Sequence, residues 1–450
     1  MCLNHSLAGA TNKLKIKKLI LAAFCIVHSQ TAQAAWSPEA YIKEVLRLSP
    51  ELKTAQSKIQ RNRSQKISAM AQAWLPTADA QATTTPYGHG PRNNYAFSNG
   101  DFHPDRISYS ATASLNLFNS FKDLRAIKTA RLGWRSAQDE RQAIRNQIAL
   151  KALDAFHDLH LKRKALEVIA KDHDIRQEQS DLTRALYQQG MRSLFDVQKT
   201  QGNLYSSEQR LLSATNETRI SLVRFNLLID QPPLQPAEIE PASEPAQTQP
   251  QESGPALETA FNNRPEMQQA RLLTEIKRIA MRQKGQDLFP TLAVKGDWNW
   301  QDRATFGLPS NDSGIPKTNY QVSAVISYAF GLGHITQWQD YTQARAGLNE
   351  AELAQQETWR RIQEEVIATI LELNRLKFTY DIALKKEALT KESAAFVQER
   401  YRLGSSGIFE LVEAQQDMLD AQVERVSALK QYHLAIAKYK IALGEPWTEK

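Results

Sequence analysis

Ile107-Ser108-Tyr109-Ser110-Ala111-Thr112-Ala113-Ser114-Leu115-Asn116-Leu117-Phe118 is the stretch from which the fold can be read. Its odd positions, Ile107 to Leu117, are apolar, and its even positions, Ser108 to Asn116, are polar. Successive side chains of a strand point to opposite faces, so this pattern makes a strand with one apolar and one polar face. Alternation over about ten residues is what a strand needs to cross a bilayer with one face in lipid and one toward water. Taken alone, the segment fits an ordinary half-buried sheet better. Three more stretches shift the balance. In Thr291 to Gln301, Leu292, Val294, Trp298 and Trp300 alternate with Thr291, Lys295, Asp297 and Asn299. In Asn319 to Phe330, Tyr320, Val322, Ala324, Ile326, Tyr328 and Phe330 share a face, and Thr77 to Thr85 alternates more weakly through Ala78, Ala80 and Ala82. Tyr and Trp near the strand ends suit an interfacial girdle. Four strands cannot close a barrel, and an open edge in lipid leaves backbone groups unsatisfied, so the barrel must be shared between chains. The connecting stretches Pro86 to Arg106 and Asp302 to Thr318 are rich in Gly, Asn, Asp and Pro and should face the outer solvent.

The chain has 450 residues, 42% of them hydrophobic and 23% charged, which argues against a bundle of membrane helices. Lys13, Lys15, Lys17 and Lys18 precede a short apolar run, Leu19 to Val27, and then Ala32-Gln33-Ala34. This is a secretory signal cleaved after Ala34; its apolar core is far shorter than the ~20 residues of a membrane span. Both cysteines, Cys2 and Cys25, lie within it, so the mature chain has no thiol chemistry. Phe24 before Cys25 argues against a lipid anchor. The signal carries four Lys and no acid, so the net charge of +7 becomes about +3 in the mature chain, which implies no nucleic-acid partner.

The mature chain is written twice. Pro50-Glu51 and Leu75-Pro76-Thr77 return as Pro265-Glu266 and Phe289-Pro290-Thr291. Tyr187-x-x-Gly190 leads to Phe195-Asp196 and Gln201, as Tyr401-x-x-Gly404 leads to Phe409-Glu410 and Gln415. A period this long is a duplicated domain rather than a solenoid unit. The predicted organisation is a signal at 1–34, one repeat at 35–230, a Pro-rich linker at 231–255 and a second repeat at 256–447. Seven prolines from Pro232 to Pro255 make the linker an extended segment running over a surface.

Each repeat also predicts a helix too long for a globular domain. No proline occurs between Pro104 and Pro232 or between Pro316 and Pro446. Lys122 to Gln189 consists almost wholly of good helix formers and would extend about 100 Å. Ile148, Ala152, Ala155, Leu159, Lys162, Leu166 and Ile169 are spaced by fours and threes, as are Trp359, Ile362, Val366, Ile370, Leu373, Leu376 and Tyr380. That is coiled-coil spacing, though the core stripe of a soluble bundle would look the same. Each long helix meets a Gly-containing turn, Gly190 to Ser193 or Gly404 to Gly407, and returns as a second helix.

Signal, duplication, strand hairpins, long helices and Y-x-x-G-x-x-[S/G]-x-F-[D/E] turns together resemble the TolC outer-membrane factor family over Ala35 to Trp447. The resemblance implies a mixed fold, a transmembrane β-barrel plus an all-α coiled-coil barrel. Four strands and two helical hairpins from each chain of a homotrimer would close a twelve-stranded barrel in outer-membrane lipid and a periplasmic tunnel. The linker, Tyr41 to Leu48 and Ala256 to Phe261 would lie at the tunnel's equator. It implies a passive exit duct for drugs, metals or unfolded protein toxins, working with a periplasmic adaptor and an inner-membrane RND or ABC pump, without a cofactor. It places a pore constriction at Glu410 and Glu413, with Asp196 near the same level. Read from the residues alone, these are solvated acids at helix starts, where the helix dipole favours them. It places adaptor docking at the turns, on Gly190, Arg192, Ser193, Gly404, Ser406 and Gly407, although the glycines alone could serve merely to turn the chain. Two positions depart from the family pattern. Ser406 stands where an Arg that helps close the tip is expected, and Asn119-Ser120-Phe121 follows the strand end.

An enzyme is the main rival of another class. His157 and His160, with Asp154 and Asp158 nearby, could suggest a metal site, but no H-E-x-x-H, P-loop, G-x-S-x-G or CxxC motif accompanies them. A periplasmic coiled coil without a pore would explain the helices and turns but not the strands.

Overall fold

The computed structural model describes residues 35–85, 106–241, 249–286, 289–303, 317–328, 333–403 and 405–445. The signal segment with both cysteines, most of the two strand-connecting stretches, part of the linker, Phe330, Gly404 and Trp447 lie outside the described residues.

Four strands, β1 (Thr77–Thr85), β2 (Arg106–Phe118), β3 (Thr291–Arg303) and β4 (Lys317–Ser327), pair antiparallel in the order β1-β2-β3-β4. Register fixes the faces. Ala80, Ala111, Trp298 and Tyr320 form one cross-strand row, and Leu115, Val294 and Ala324 another on the same side. The intervening rows, such as Gln81-Ser110-Asn299-Asn319, are polar and point the other way. Among the described residues no helix packs along the apolar face, and β4's Tyr320 and Val322 are 86% and 78% exposed in the single chain. A β-bulge between Asn116 and Phe118 ends the regular pairing of β2 with β3 near the helical end.

Eight helices occur among the described residues. They are α1 (Pro38–Leu48), α2 (Pro50–Trp74), α3 (Lys122–Gln188), α4 (Leu194–Leu228), α5 (Ser253–Asn263), α6 (Pro265–Gln286), α7 (Gly333–Arg402) and α8 (Ile408–Ala442). Ser37 and Ser49 cap α1 and α2, accepting from the amides of Ala40 and Leu52, and Pro38 and Pro50 occupy first turns where their missing N–H costs nothing. α3 has 67 residues and α7 has 70, so each runs about 100 Å. Helix α2 and helix α4 pack along α3; α6 and α8 pack along α7; α6 and α8 also touch α3 and join the halves. No described helix is long and apolar enough to cross a membrane.

Two cores hold the helices. In the first, Tyr41 stacks on Phe225 at 4.0 Å between ring centroids and its hydroxyl donates to the Phe225 carbonyl at 2.9 Å. Ile148, Ala152 and Leu159 of the predicted seam are buried here, but Ala155, Lys162, Leu166 and Ile169 are only half-buried. Ala149, Leu153 and Phe156 are buried instead, because α1 packs on α3 as a second partner and widens its apolar face. Lys162 turns its ammonium to Glu217 at 2.7 Å. In the second core, Ile362, Val366, Ile370, Leu373, Leu376 and Tyr380 are all buried and Trp359 packs against them.

The described part of the linker is tied down but not wholly extended: Pro233 and Leu234 form a turn, and a helix begins inside the expected linker at Ser253. Trp36 donates to the Glu238 carbonyl and accepts from the Glu240 amide, and the Asn226 amide donates to the carbonyls of Pro232, Pro233 and Gln235. Pro255 sits in the first turn of α5, where an N–H has no helical partner anyway.

Candidate functional site: turns, helix junction and sheet face

Gly190 closes α3 with φ 76°; its N–H bonds to the Tyr187 carbonyl and the Met191 N–H to that of Leu186. Only a residue without a Cβ takes this left-handed conformation at low cost. Ser193 then caps α4. Its hydroxyl accepts from the Asp196 amide at 3.2 Å, and the Asp196 carboxylate accepts from the Ser193 amide at 3.2 Å and hydroxyl at 2.9 Å. This reciprocal capping box holds the Asp196 carboxyl below its usual range, chiefly through the Ser193 hydroxyl. In the second turn Gly407 caps α8, the Ser406 hydroxyl donates to the Glu410 carboxylate, and Arg400 holds the Ser405 carbonyl at 3.1 Å. Glu413 lies one helical turn further on, exposed. The structure brings the two turn regions near each other, with Lys199 of α4 at 6.0 Å from the Phe409 ring. Arg192 is exposed beside the first turn, next to the exposed apolar residues Met191, Leu194 and Phe195.

Sequence reasoning placed Asp154, His157, Asp158 and His160 on one helix but not their partners. Lys430 of α8 donates to Asp158 at 2.6 Å and lies 3.1 Å from Asp154, and Ser221 donates to Asp158 at 3.0 Å. Burial opposes ionisation of Asp158, but the bonds from Lys430 and Ser221 outweigh it and hold its carboxyl below the usual range. His157 is buried and stacks on His433 at 4.5 Å; burial first, then the neighbouring His433, His160 and Lys430, press its pKa down to about 3. Among the described residues no group of three His, Cys, Asp or Glu is arranged to hold a metal ion. The face suspected as a ligand set is an ion-paired joint between α3 and α8. No local pattern could have found it, since Lys430 lies far along the chain.

A two-faced sheet of four strands, joined to paired helices of this length that reverse at capped glycine turns, defines the TolC-like class of outer-membrane channel folds. The sequence pattern of the family described as outer membrane efflux protein matches residues 41–229 and 256–445, most of the chain, and the chain belongs to that family. Solved structures agree. The outer membrane protein VceC of Vibrio cholerae matches with a TM-score of 0.74 at 17% identity, over 91% of this chain and 96% of its own. The CmeC outer membrane channel of Campylobacter jejuni matches at 0.77 and 15%, over 90% and 85%. The MtrE outer membrane channel of Neisseria gonorrhoeae, solved in its open state, matches at 0.72 and 18%, over 91% and 89%. At such identities the likeness is one of fold. No curated protein matches the sequence.

Proposed function

We propose that three copies of this chain form a passive duct from the periplasm to the exterior, recruited by a periplasmic adaptor and driven by an inner-membrane RND or ABC pump. One observation carries the reading. The sheet has a continuous uncovered apolar face and ends on β1 and β4 as edges, among the described residues. In lipid such edges must pair, and the same edges on further copies of the chain are the natural partners. A periplasmic coiled coil without a pore leaves that face unexplained.

The duplication at 35–230 and 256–447, joined by 231–255, gives each chain two hairpins, and cleavage after Ala34 delivers it to the periplasm. At the far end the duct narrows at rings of Asp196, Glu410 and Glu413. Carboxylates brought together at a narrow pore favour cations. Ser406 holds Glu410 with a neutral donor where the family pattern has an Arg. The adaptor docks on Gly190, Arg192, Ser193, Gly404, Ser406 and Gly407, aided by the exposed apolar residues of the first turn. The mass of the detergent-extracted particle tests the assembly. Three chains per particle are expected; a single-chain particle that stays folded would remove the shared barrel.

A further inference from the structure

The helix ends nearest the sheet are apolar first and basic next. On α2, Arg63, Ile67, Met70 and Trp74 recur at intervals of four, three and four, so they share one helix face, and all are exposed. On α3, Leu124, Lys128, Arg131 and Arg135 recur at the same intervals and are exposed too. The flanks of α3 are occupied: Lys128 reaches Glu275 of α6 at 2.8 Å, and Lys66 of α2 lies 4.6 Å from the centre of the Trp134 ring. Leu124, Arg131 and Arg135 stand on the open face between those neighbours.

This region is continuous with the apolar face of the sheet. The bulge at the end of β2 sets Phe118 in the row of Leu292 and Ile326, and the Phe118 ring meets that of Phe121 edge-on at 5.3 Å. Ser120 and Phe121 both have left-handed backbone, φ 57° and 62°, which a residue with a Cβ resists. The buried Ser120 hydroxyl holds the turn by donating to the Phe289 carbonyl at 3.1 Å. Phe121 is thereby left exposed beside the apolar row, one helical turn before Leu124. This gives a use to Asn119-Ser120-Phe121, which departs from the family pattern.

Charge follows directly. From Arg61 to Trp74, α2 has three cations and no acid; from Lys122 to Arg135, α3 has five cations and one acid, Asp123. Among the described residues Arg63 and Arg131 have no carboxylate partner. Asp139 and Glu140, a turn farther from the sheet, are met by Arg135 and Lys58. From Glu275 to Asp287 four cations accompany two acids, and from Gly333 to Arg345 there is one of each. The whole mature chain carries only about +3, so the excess on α2 and α3 is a local concentration.

We propose that this collar binds acidic phospholipids of the membrane's periplasmic leaflet, with Trp74, Phe121 and Leu124 at headgroup level and Arg63, Lys66, Arg131 and Arg135 attracting the anionic headgroups. The inference rests on the shared-barrel reading above. At 1.5 Å per residue, Lys66 and Arg131 lie about 12–15 Å along their helices from Trp74 and Phe121. Side chains on α3 lean toward its N-terminus, which is the membrane end, and shorten that gap. The remaining distance falls within the ~10 Å over which a charge acts in 0.1 M salt.

The test uses the full mature protein in phosphatidylcholine vesicles that carry a trace of spin-labelled phosphatidylglycerol or spin-labelled phosphatidylcholine. It compares how strongly the protein immobilises each. A preference of about five-fold for phosphatidylglycerol is expected in 0.1 M salt, the effect of one cation near a membrane surface, and it should fall toward one in 1 M salt. Arg63→Gln/Lys66→Gln/Arg131→Gln/Arg135→Gln should bring the ratio close to one and leave single-channel conductance unchanged. If that protein does not fold, Arg131→Gln/Arg135→Gln alone should still lower the preference. A ratio of one for the wild-type trimer, or an undiminished preference in the substituted protein, would overturn the collar and leave the shared barrel standing. Substitutions that change conductance and not lipid preference would place these cations in the lumen and overturn the collar too. Protein that enters vesicles in no form would overturn both the collar and the barrel.

Discussion

Lys430 and Asp158 meet at 2.6 Å where helix α8 of the second half crosses helix α3 of the first. Their side chains are 17% and 19% exposed, so the pair is largely shielded from solvent. Removing one partner of such a pair leaves the other charge without compensation, which costs more than the pair contributes.

Lys430→Met should therefore destabilise the chain by about 1–3 kcal/mol. Asp158→Asn in the same protein should recover much of that loss, since the shielded charge is then gone and only Asp154, whose side chain is 55% exposed, is left without its cation. The pH dependence has a fixed sign. The folded pKa of Asp158 lies below its unfolded value, so its contribution is present above the unfolded pKa and is lost as pH falls through the folded one. Lys430 has a raised pKa, so its contribution is lost only as alkaline pH passes that value. Thermal melts against pH, with and without Lys430→Met, check both limbs.

The His157–His433 stack beside this pair predicts a separate acid sensitivity. His157 titrates at about 3 in the folded chain, against ~6.5 when unfolded. Stability should be full above pH ~6.5 and should fall as pH drops toward about 3, because the unfolded chain takes up the proton first. His157→Phe keeps a flat ring against His433 and removes the titrating group. The melting temperature of that variant should fall less between pH 7 and 4 than that of the wild type.

Gly444 tests the packing at the end of α8. Its φ is 77°, and a Cβ there would stand 2.6 Å from the Asn263 carbonyl carbon and 2.7 Å from the Arg264 nitrogen, both backbone. Gly444→Ala should cost more than ~2 kcal/mol, combining left-handed strain with a clash that only backbone movement can relieve. Asp230, just past the end of α4, adopts φ 55° with its side chain in place. Asp230→Gly should change stability by only ~0.5 kcal/mol. Comparing the two melting temperatures separates strain from clash.

Much of this architecture was legible because it is periodic. The period-two alternation of Ile107 to Leu117 gave the strand and its faces, and the second seam from Ile362 to Tyr380 became core as spaced. The first seam drifted because α1 arrives from outside the helix pair, which no heptad count on α3 reveals. The turns were legible as Gly-containing punctuation, but the capping box at Ser193 and Asp196 and the Ser406 bond to Glu410 emerge only from backbone geometry. The joint of His157, Asp158, Lys430 and His433 was half visible. Helical spacing put the acids and histidines on one face, while the cation that gives them their role comes from the far end of the chain.

The central claim is that this chain makes a pore that narrows at its helical tip. Single-channel conductance of the purified mature protein, beside the Glu410→Ala/Glu413→Ala variant, tests it most directly. The account predicts small, cation-preferring steps for the wild type, and larger or less selective steps for the variant. Folded, membrane-extracted protein that gives no conductance in either form would contradict it.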